Sequence, residues 1–422
     1  MRVGEEAVND FKRVILVRYG EIALKGLNRH VFEDKLISNI RRALGNMPKA
    51  DISISQGRIF VEPIWEGVEI SETLKQQFDF NQAIEKLKDV FGIVSVSLAY
   101  KTVSNIGKIC DCAKVATRDF MEKRGVLATE SHKLSFKVET KRGNKRFPMI
   151  SPEISAEVGG AIAECYPDLE INVNKPDFIV YIEVRESAYA YTDIVKGYGG
   201  LPLGTNGKAA LLLSGGIDSP VAGFMMAKRG VEIDAVHFYS YPYTSEKSKE
   251  KVIALTEALS VYTHRMQLHI VPFTDIQVAI RDNCHAEYMT IVTRRAMMII
   301  AEAIALSNGA MALVTGESMG QVASQTIQSL GVTNSVVKMP VFRPLIGMDK
   351  VEVVEMARRI GTFEISSLPY EDCCTLFTPK HPKIKPKLDV VEEEEKRADL
   401  TGLIKEAVRT VESMMIYYAE RG

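Results

Sequence analysis

Ser214-Gly215-Gly216-Ile217-Asp218-Ser219-Pro220 sets the class of this chain. The heptapeptide follows an apolar run, Ala209-Ala210-Leu211-Leu212-Leu213. It opens a helix-like stretch, Val221-Ala222-Gly223-Phe224-Met225-Met226-Ala227-Lys228-Arg229-Gly230. Strand, glycine turn and helix in that order aim backbone N–H groups at a phosphate. Two glycines let the backbone approach closely. Ser219 suits a helix cap and Pro220 the first helical position. A phosphate-binding lysine of the GxxxxGK[ST] kind is missing, which argues against cleavage at a γ-phosphate by a Walker-type site. A two-glycine turn alone reads equally well as an ordinary loop. Ser-Gly-Gly-x-Asp-Ser-Pro behind a buried strand is more specific and predicts a nucleotide site.

Downstream, strands at 209–213, 232–238, 268–273 and 310–315 alternate with helices at 219–229, 246–260 and 286–307. That pattern predicts an α/β, doubly wound parallel sheet with ligands at the carboxyl ends of its strands. Ser214 and Ser219 are candidate donors to pyrophosphate oxygens, with the N–H groups of Gly215 and Gly216 holding the anion. Asp218 either caps the helix or helps bind Mg²⁺; a carboxylate facing a triphosphate without a metal would be repulsive, so bound ATP favours the metal role. Leu212 and Leu213 end the first strand. His237 and Phe238 end the second, where they could frame an adenine, although a lone histidine there is more often structural. Of Arg294 and Arg295, one is expected to reach phosphate unless it forms a surface salt bridge. Gly316, in Thr315-Gly316-Glu317-Ser318, is expected to allow a ligand close approach. Asp349-Lys350-Val351-Glu352 resembles a capping box starting a helix that ends at Gly361. From 388 onward, Ile404, Val408, Val411, Met415 and Tyr418 fall on one helical face. That face serves packing on its own domain or a homodimer contact.

Upstream, residues 196–207 hold five glycines and one proline and read as a linker. Before it stand two α+β units. Residues 1–79 contain a strand at 13–19, a helix at 29–44 and a hairpin at 51–62. Residues 80–195 contain helices at 83–91, 105–123 and from Ser151, with strands at 93–98, 133–139, 178–184 and 188–193. The catalytic unit is expected at 208–385 and a helical C-terminal segment at 386–422.

At 422 residues the chain needs several domains. Its net charge of −1 gives no global basic field, so a nucleic-acid partner must meet a local patch. Such a patch lies at Lys133, Lys137, Lys141, Arg142, Lys145 and Arg146, with one acid, Glu139, among them. It is either a solvated hairpin or a set of phosphate contacts for RNA. The six cysteines form no CxxC pair, and the scattered pattern suits a reducing, cytoplasmic setting. No apolar leader and no membrane-length apolar run occur, so no membrane partner is expected. Cys373 and Cys374 lie in a proline-bounded loop near Lys380 and His381. They are either small apolar fillers or reactive thiols.

The loop at 214–220 resembles the PP-loop of ATP pyrophosphatases, which cut ATP between the α and β phosphates. Further motifs extend the likeness. They are Tyr19-Gly20-Glu21-Ile22-Ala23-Leu24-Lys25-Gly26 with Asn28-Arg29, and Lys141-Arg142-Gly143-Asn144-Lys145-Arg146-Phe147-Pro148. To these are added Gly316-Glu317-Ser318-Met319-Gly320-Gln321-Val322-Ala323-Ser324-Gln325-Thr326 and Arg343-Pro344-Leu345-Ile346-Gly347-Met348-Asp349-Lys350. Together they resemble the tRNA 4-thiouridine synthetase (tRNA uracil 4-sulfurtransferase) family over nearly the whole chain.

The resemblance implies an N-terminal ferredoxin-like domain, a THUMP domain gripping tRNA, and a PP-loop catalytic domain using ATP. It places nucleotide contacts on Leu212, Leu213, His237, Phe238, Arg294, Gly316 and Gln325. It matches Asp218 to the PP-loop aspartate and Lys350 to a lysine needed for activity. The acceptor cysteine falls on Cys374 by its following residues, or on Cys373. Uridine 8 of tRNA is the implied target and a cysteine desulfurase the implied sulfur source. Some members add a C-terminal rhodanese domain, the part associated with sulfur supply for the thiamine thiazole. Here 48 residues follow Cys374, and a form without that domain is expected.

Overall fold

The computed structural model describes residues 11–64, 78–125, 134–371, 373, 376–377 and 379–418. The chain divides into two compact units at residues 200 and 201, inside the glycine-rich stretch.

In the first unit, strand β1 (Lys12–Tyr19) alternates between two faces, as a two-residue period requires. Ile15 and Val17 enter one core, Val14 and Leu16 another. Strands β2 (Ala50–Ser55) and β3 (Arg58–Pro63) form a hairpin through Gln56-Gly57. Both turn residues have positive φ, as a two-residue hairpin loop prefers. Helix α1 (Arg29–Ala43) packs on the Ile15 side. So does α2 (Phe80–Lys88), whose Phe80, Ala83, Ile84 and Leu87 make one stripe. The expected boundary at residue 79 therefore cuts short the first core, because this stripe closes it. Asp79 caps α2, accepting from the N–H groups of Asn81 and Gln82 at 2.8 and 3.0 Å.

Strand β4 (Ile93–Val103) pairs with β1 along most of its length, then with β8. This long strand joins two α+β modules into one nine-stranded sheet. The second module adds helix α3 (Ile106–Arg124), β5 (Leu134–Arg142), helix α4 (Ser151–Cys165), β6 (Leu169–Ile171), β7 (Phe178–Val184), β8 (Ser187–Tyr191) and the short β9 (Val195–Lys196). Strands β6 and β9 escape the sequence reading because they span three and two residues.

The second unit holds a six-stranded sheet ordered β14-β13-β10-β11-β12-β15. Strands β10 (Lys208–Leu212), β11 (Glu232–Tyr239), β12 (Arg265–Pro272), β13 (Ala312–Val314) and β14 (Val341–Phe342) are parallel. The chain runs from β10 through β11 to β12, then returns to β13 on the other side of β10. The point of reversal, beside β10, is where such sheets open a crevice. Helices α5 (Asp218–Lys228), α6 (Glu246–Thr263), α7 (Thr274–Asn283), α8 (Met289–Ser307), α9 (Ile327–Asn334), α10 (Lys350–Arg359) and α11 (Phe363–Ser366) cross over between strands or follow them.

The C-terminal segment departs from expectation. Helices α12 (Leu388–Ala398) and α13 (Thr401–Arg409) form, but Glu412–Tyr417 is strand β15, antiparallel to β12. The four-three spacing that suggested one helix hid a two-residue alternation. Met414 and Ile416 are half-buried while Met415 and Tyr417 face out. The exposed edge of β12 supplies the backbone partners that a continued helix would forgo. Val391, Ala398, Leu400 and Ala407 lie in the same core as β10 and β11. The segment is thus part of the catalytic unit rather than an appendage.

Candidate nucleotide and sulfur site

An open cleft of about 240 Å³ lies at the carboxyl ends of β10, β11 and β13. Leu212, Leu213, Ser214, Gly216, Asp218 and Ser219 line it from the glycine loop. Val236, His237 and Phe238 line it from β11, and Thr315, Gly316 and Glu317 from the end of β13. Arg294, Gln325 and Cys373 line it too, with Met297, Met298 and Thr333. Every residue expected to contact the nucleotide, apart from Gly215, lines this one space.

The loop is braced by its own serines. Ser219 Oγ accepts from the Ser214 N–H at 2.9 Å and lies 3.2 Å from the Ser214 carbonyl oxygen. The two hydroxyls are 3.0 Å apart, and Ser214 Oγ accepts from the Gly216 N–H at 3.2 Å. In this arrangement the hydroxyls shape the loop rather than reach outward as donors. His237 is buried, with Nδ1 3.1 Å from the Leu213 carbonyl oxygen. A carbonyl only accepts, so Nδ1 carries the proton.

Gly316 lines the cleft and has a second reason to be glycine. A Cβ there would stand 2.7 Å from Ser219 N and 2.8 Å from both Asp218 C and Ser219 Cα. The close approach is to the start of α5, so Gly316 sets the position of the glycine loop.

The charged side chains are organised in two groups. Glu317, buried, accepts from Arg294 at 2.8 Å, Arg343 at 2.8 Å and Thr315 at 2.9 Å. It holds Arg294 at the cleft wall. Arg295, by contrast, is buried in a bidentate pair with Glu395 of α12 at 2.6 and 2.8 Å, and is structural. In the second group, Asp218 Oδ1 pairs with Lys350 Nζ at 2.6 Å and Oδ2 accepts from Gln321 Nε2 at 3.0 Å. Lys350 opens α10, which Asp349 and Glu352 cap reciprocally as expected. Sequence reading passed over Glu317, Gln321 and Arg343. They stood inside quoted motifs, but their partners are 23 to 103 residues away.

Gln325 is buried, and its Oε1 has no hydrogen-bond partner among the described residues. Such an atom in a ligand cleft is an acceptor awaiting a donor. For a divalent cation the donor set is small. Among the described residues no group of three or more His, Cys, Asp or Glu side chains is placed to hold a metal. A single accessible carboxylate, Asp218, suits Mg²⁺ shared with substrate phosphates rather than a protein-only cage.

Cys373 is buried in the cleft wall, so a thiol-bearing residue lines the same space as the glycine loop. Cys374 lies outside the described residues, as does Lys133. Of the other basic-patch residues, Lys137 pairs with Glu139 at 2.7 Å. Arg142 donates to the carbonyls of Phe147 and Met149 at 3.1 and 3.2 Å and so fixes the loop after β5. Lys141, Lys145 and Arg146 are exposed. Among the described residues, no helix is long and apolar enough to cross a membrane.

Comparison with known proteins agrees with this layout. A ThiI ferredoxin-like domain model matches residues 14–97, a THUMP domain model residues 109–193, and a model described as thiamine biosynthesis protein (ThiI) residues 204–400. These define the class: a ferredoxin-like and THUMP module in one chain with a parallel-sheet ThiI catalytic unit. A probable tRNA sulfurtransferase of Acetivibrio thermocellus is 58% identical over 405 residues, covering 96% of this chain and 99% of the relative. One from Thermoanaerobacter pseudethanolicus is 52% identical, covering 91% and 95%. A solved 4-thiouridine synthetase–RNA complex with bound ATP matches at TM-score 0.82 and 40% identity, covering 96% of this chain and all of that one. The chain belongs to the tRNA sulfurtransferase family.

Proposed function

We propose that this chain replaces O4 of uridine 8 in tRNA with sulfur, using ATP, and so makes 4-thiouridine. The observation that carries the reading is the shared cleft, in which a glycine loop at a helix N-terminus and Cys373 line one space. The first suits a nucleotide and the second a sulfur donor.

The loop at 214–219, Arg294 and Lys350 hold the phosphates, while His237 and Phe238 frame the base and Gln325 accepts from it. Asp218 would hold Mg²⁺, which when bound neutralises charge on the departing pyrophosphate. To meet phosphate or metal, Lys350 and Asp218 exchange part of their mutual ion pair; both are solvent-accessible enough to do so. Uracil O4 forms a bond to the α-phosphorus, the bond to the β-phosphate oxygen breaks, and N3 loses its proton. A poor leaving oxygen thereby becomes part of AMP. Sulfur then bonds to C4, and the C4–O4 bond breaks as AMP leaves. With free sulfide that completes the exchange. With a persulfide on Cys373 or Cys374, a second thiolate attacks the inner sulfur. The S–S bond breaks and its electron pair stays on the thiouridine.

Lys141, Lys145 and Arg146 are assigned to tRNA phosphates. A cysteine desulfurase is the sulfur source, and uridine 8 offers an unstacked base that RNA-binding modules can take. The test combines the full chain, tRNA, Mg-ATP and sulfide, followed by mass spectrometry of the nucleosides. The expected result is 4-thiouridine at position 8 with one AMP per turnover. Pyrophosphate release that ignores tRNA would instead indicate a small-molecule synthetase. Binding of tRNA without ATP turnover would indicate a non-catalytic RNA-binding protein.

A further inference from the structure

Gln277, on α7, stands outside the nucleotide cleft, yet its side chain is buried and fully committed. Its Nε2 donates to the Cys373 carbonyl at 2.8 Å. Its Oε1 accepts from Ser240 Oγ at 2.5 Å. Ser240 follows β11 directly and is wholly buried. A short relay thus runs from the end of β11, the strand that bears His237 and Phe238, to the backbone of the cysteine loop. The Leu376 N–H donates to the same carbonyl at 3.2 Å. One turn further along α7, the Arg281 guanidinium lies over the Phe377 ring at 5.2 Å. Tyr243 meets that ring edge-on, also at 5.2 Å. Phe377 has φ +54°, a conformation that costs a non-glycine residue energy and persists only where its surroundings fix it. Two residues on one face of α7, Gln277 and Arg281, therefore hold Cys373 and Phe377 respectively.

The Cys373 carbonyl belongs to the peptide group joining Cys373 to Cys374. Holding it fixes the backbone of Cys373 at the point where the two thiol-bearing residues join. We propose that Gln277 is a positioning residue for sulfur delivery, holding the Cys373–Cys374 peptide so that a cysteine-borne sulfur faces the activated base. The proposal rests on the functional reading above. It adds that delivery from cysteine depends on Gln277, whereas nucleotide activation and attack by free sulfide do not.

The two sulfur sources separate these effects. The full chain is assayed with tRNA, Mg-ATP and a thiol reductant. Sulfur is supplied either as protein-bound persulfide, from a cysteine desulfurase with cysteine, or as free sulfide. In Gln277→Leu the persulfide-driven rate falls at least about tenfold, since misplacing a reacting group by ~1 Å can cost ~100-fold. The KM for ATP and the sulfide-driven rate stay within about twofold of wild type by the same reasoning, because neither uses the held carbonyl. Gln277→Glu behaves like Gln277→Leu, because a carboxylate still accepts from Ser240 but offers the carbonyl no donor. Ser240→Ala keeps the Nε2 bond and stays near wild type. Gln277→Leu leaves the Ser240 hydroxyl buried and unpaired. The double variant Gln277→Leu/Ser240→Ala removes that penalty and recovers Tm without recovering persulfide-driven thiolation.

Equal rates of Gln277→Leu and wild type with persulfide would overturn the proposal. So would parallel loss with both sulfur sources in the double variant. If wild type makes no 4-thiouridine from either source, the functional reading itself falls.

Discussion

Gly316→Ala gives a sharp perturbation of the catalytic unit. The added Cβ would lie 2.7 Å from Ser219 N and 2.8 Å from Asp218 C and Ser219 Cα. Comfortable carbon contacts begin near ~3.5 Å, so relief needs a shift of about 0.7–1 Å. All three atoms are main chain, and no side-chain rotation can yield. The turn after β13 must move away from the start of α5, or the loop at 214–219 must move. Overpacking of this kind costs about 1–3 kcal/mol. For a unit of this size that lowers Tm by about 2–4 °C per kcal/mol. The functional loss is larger, because a displacement of ~1 Å in a positioning element can cost about 100-fold in rate. Calorimetric titration with a non-hydrolysable ATP analogue and a thermal scan read both effects. Gly331→Ala is the control: it lies in α9, has nothing within 4 Å of its would-be Cβ, and has no positive φ. It should be neutral or stabilise by about 0.5–1 kcal/mol. A Gly316→Ala protein with wild-type nucleotide affinity and Tm would refute the claim that this glycine sets the loop's position.

Four further outcomes follow from the geometry. Asp218→Asn should abolish adenylate formation while leaving tRNA affinity within about twofold, since the lost charge faces Lys350 and the phosphate end of the cleft and would hold the cation; filter binding and AMP release check this. Lys145→Ala and Arg146→Ala should each weaken tRNA binding and reduce the salt slope by about one, the signature of a lost phosphate contact. Arg142→Ala should instead lower Tm, because its guanidinium holds the Phe147 and Met149 carbonyls. Glu183, buried in the first unit, faces Arg58 at 3.4 Å, Arg185 at 2.9 Å and Arg18 at 3.6 Å. Burial pushes its carboxyl up, but the three guanidiniums and the Arg185 hydrogen bond outweigh that and hold it below the usual carboxylate range. A depressed folded-state value stabilises above the unfolded value, near pH ~4.3, and is lost as pH falls through the folded one. Glu183→Gln should therefore destabilise at neutral pH and flatten the acid limb of the stability profile. An unchanged acid limb in a pH series of denaturant melts would count against the cluster.

The catalytic sheet was legible because βαβ order, a glycine turn and buried strands are all local signals. The same holds for the hairpin at Gln56-Gly57 and for the cap of α10. What was not legible depends on partners distant in sequence. β15 is a strand because β12 has an open edge, which no window around Glu412–Tyr417 reveals. Helix α2 belongs to the first core because β1 and β4 offer it a surface. The site follows the same rule. Its loop residues were readable, but Glu317, Gln321 and Arg343 acquire roles only through contacts across the sheet.

The serines and Gly316, read from sequence as ligand contacts, also brace the loop itself. That double use has a physical logic. A loop that must offer backbone N–H groups to a polyanion gains nothing by being flexible, because ordering it on binding would consume affinity. Serine hydroxyls bonded within the loop, and a glycine that lets the turn after β13 lie against the start of α5, meet that ordering cost during folding. The nucleotide then encounters a cradle already set, and the side chains left to reach outward are those at the rim, Arg294, Lys350 and Asp218.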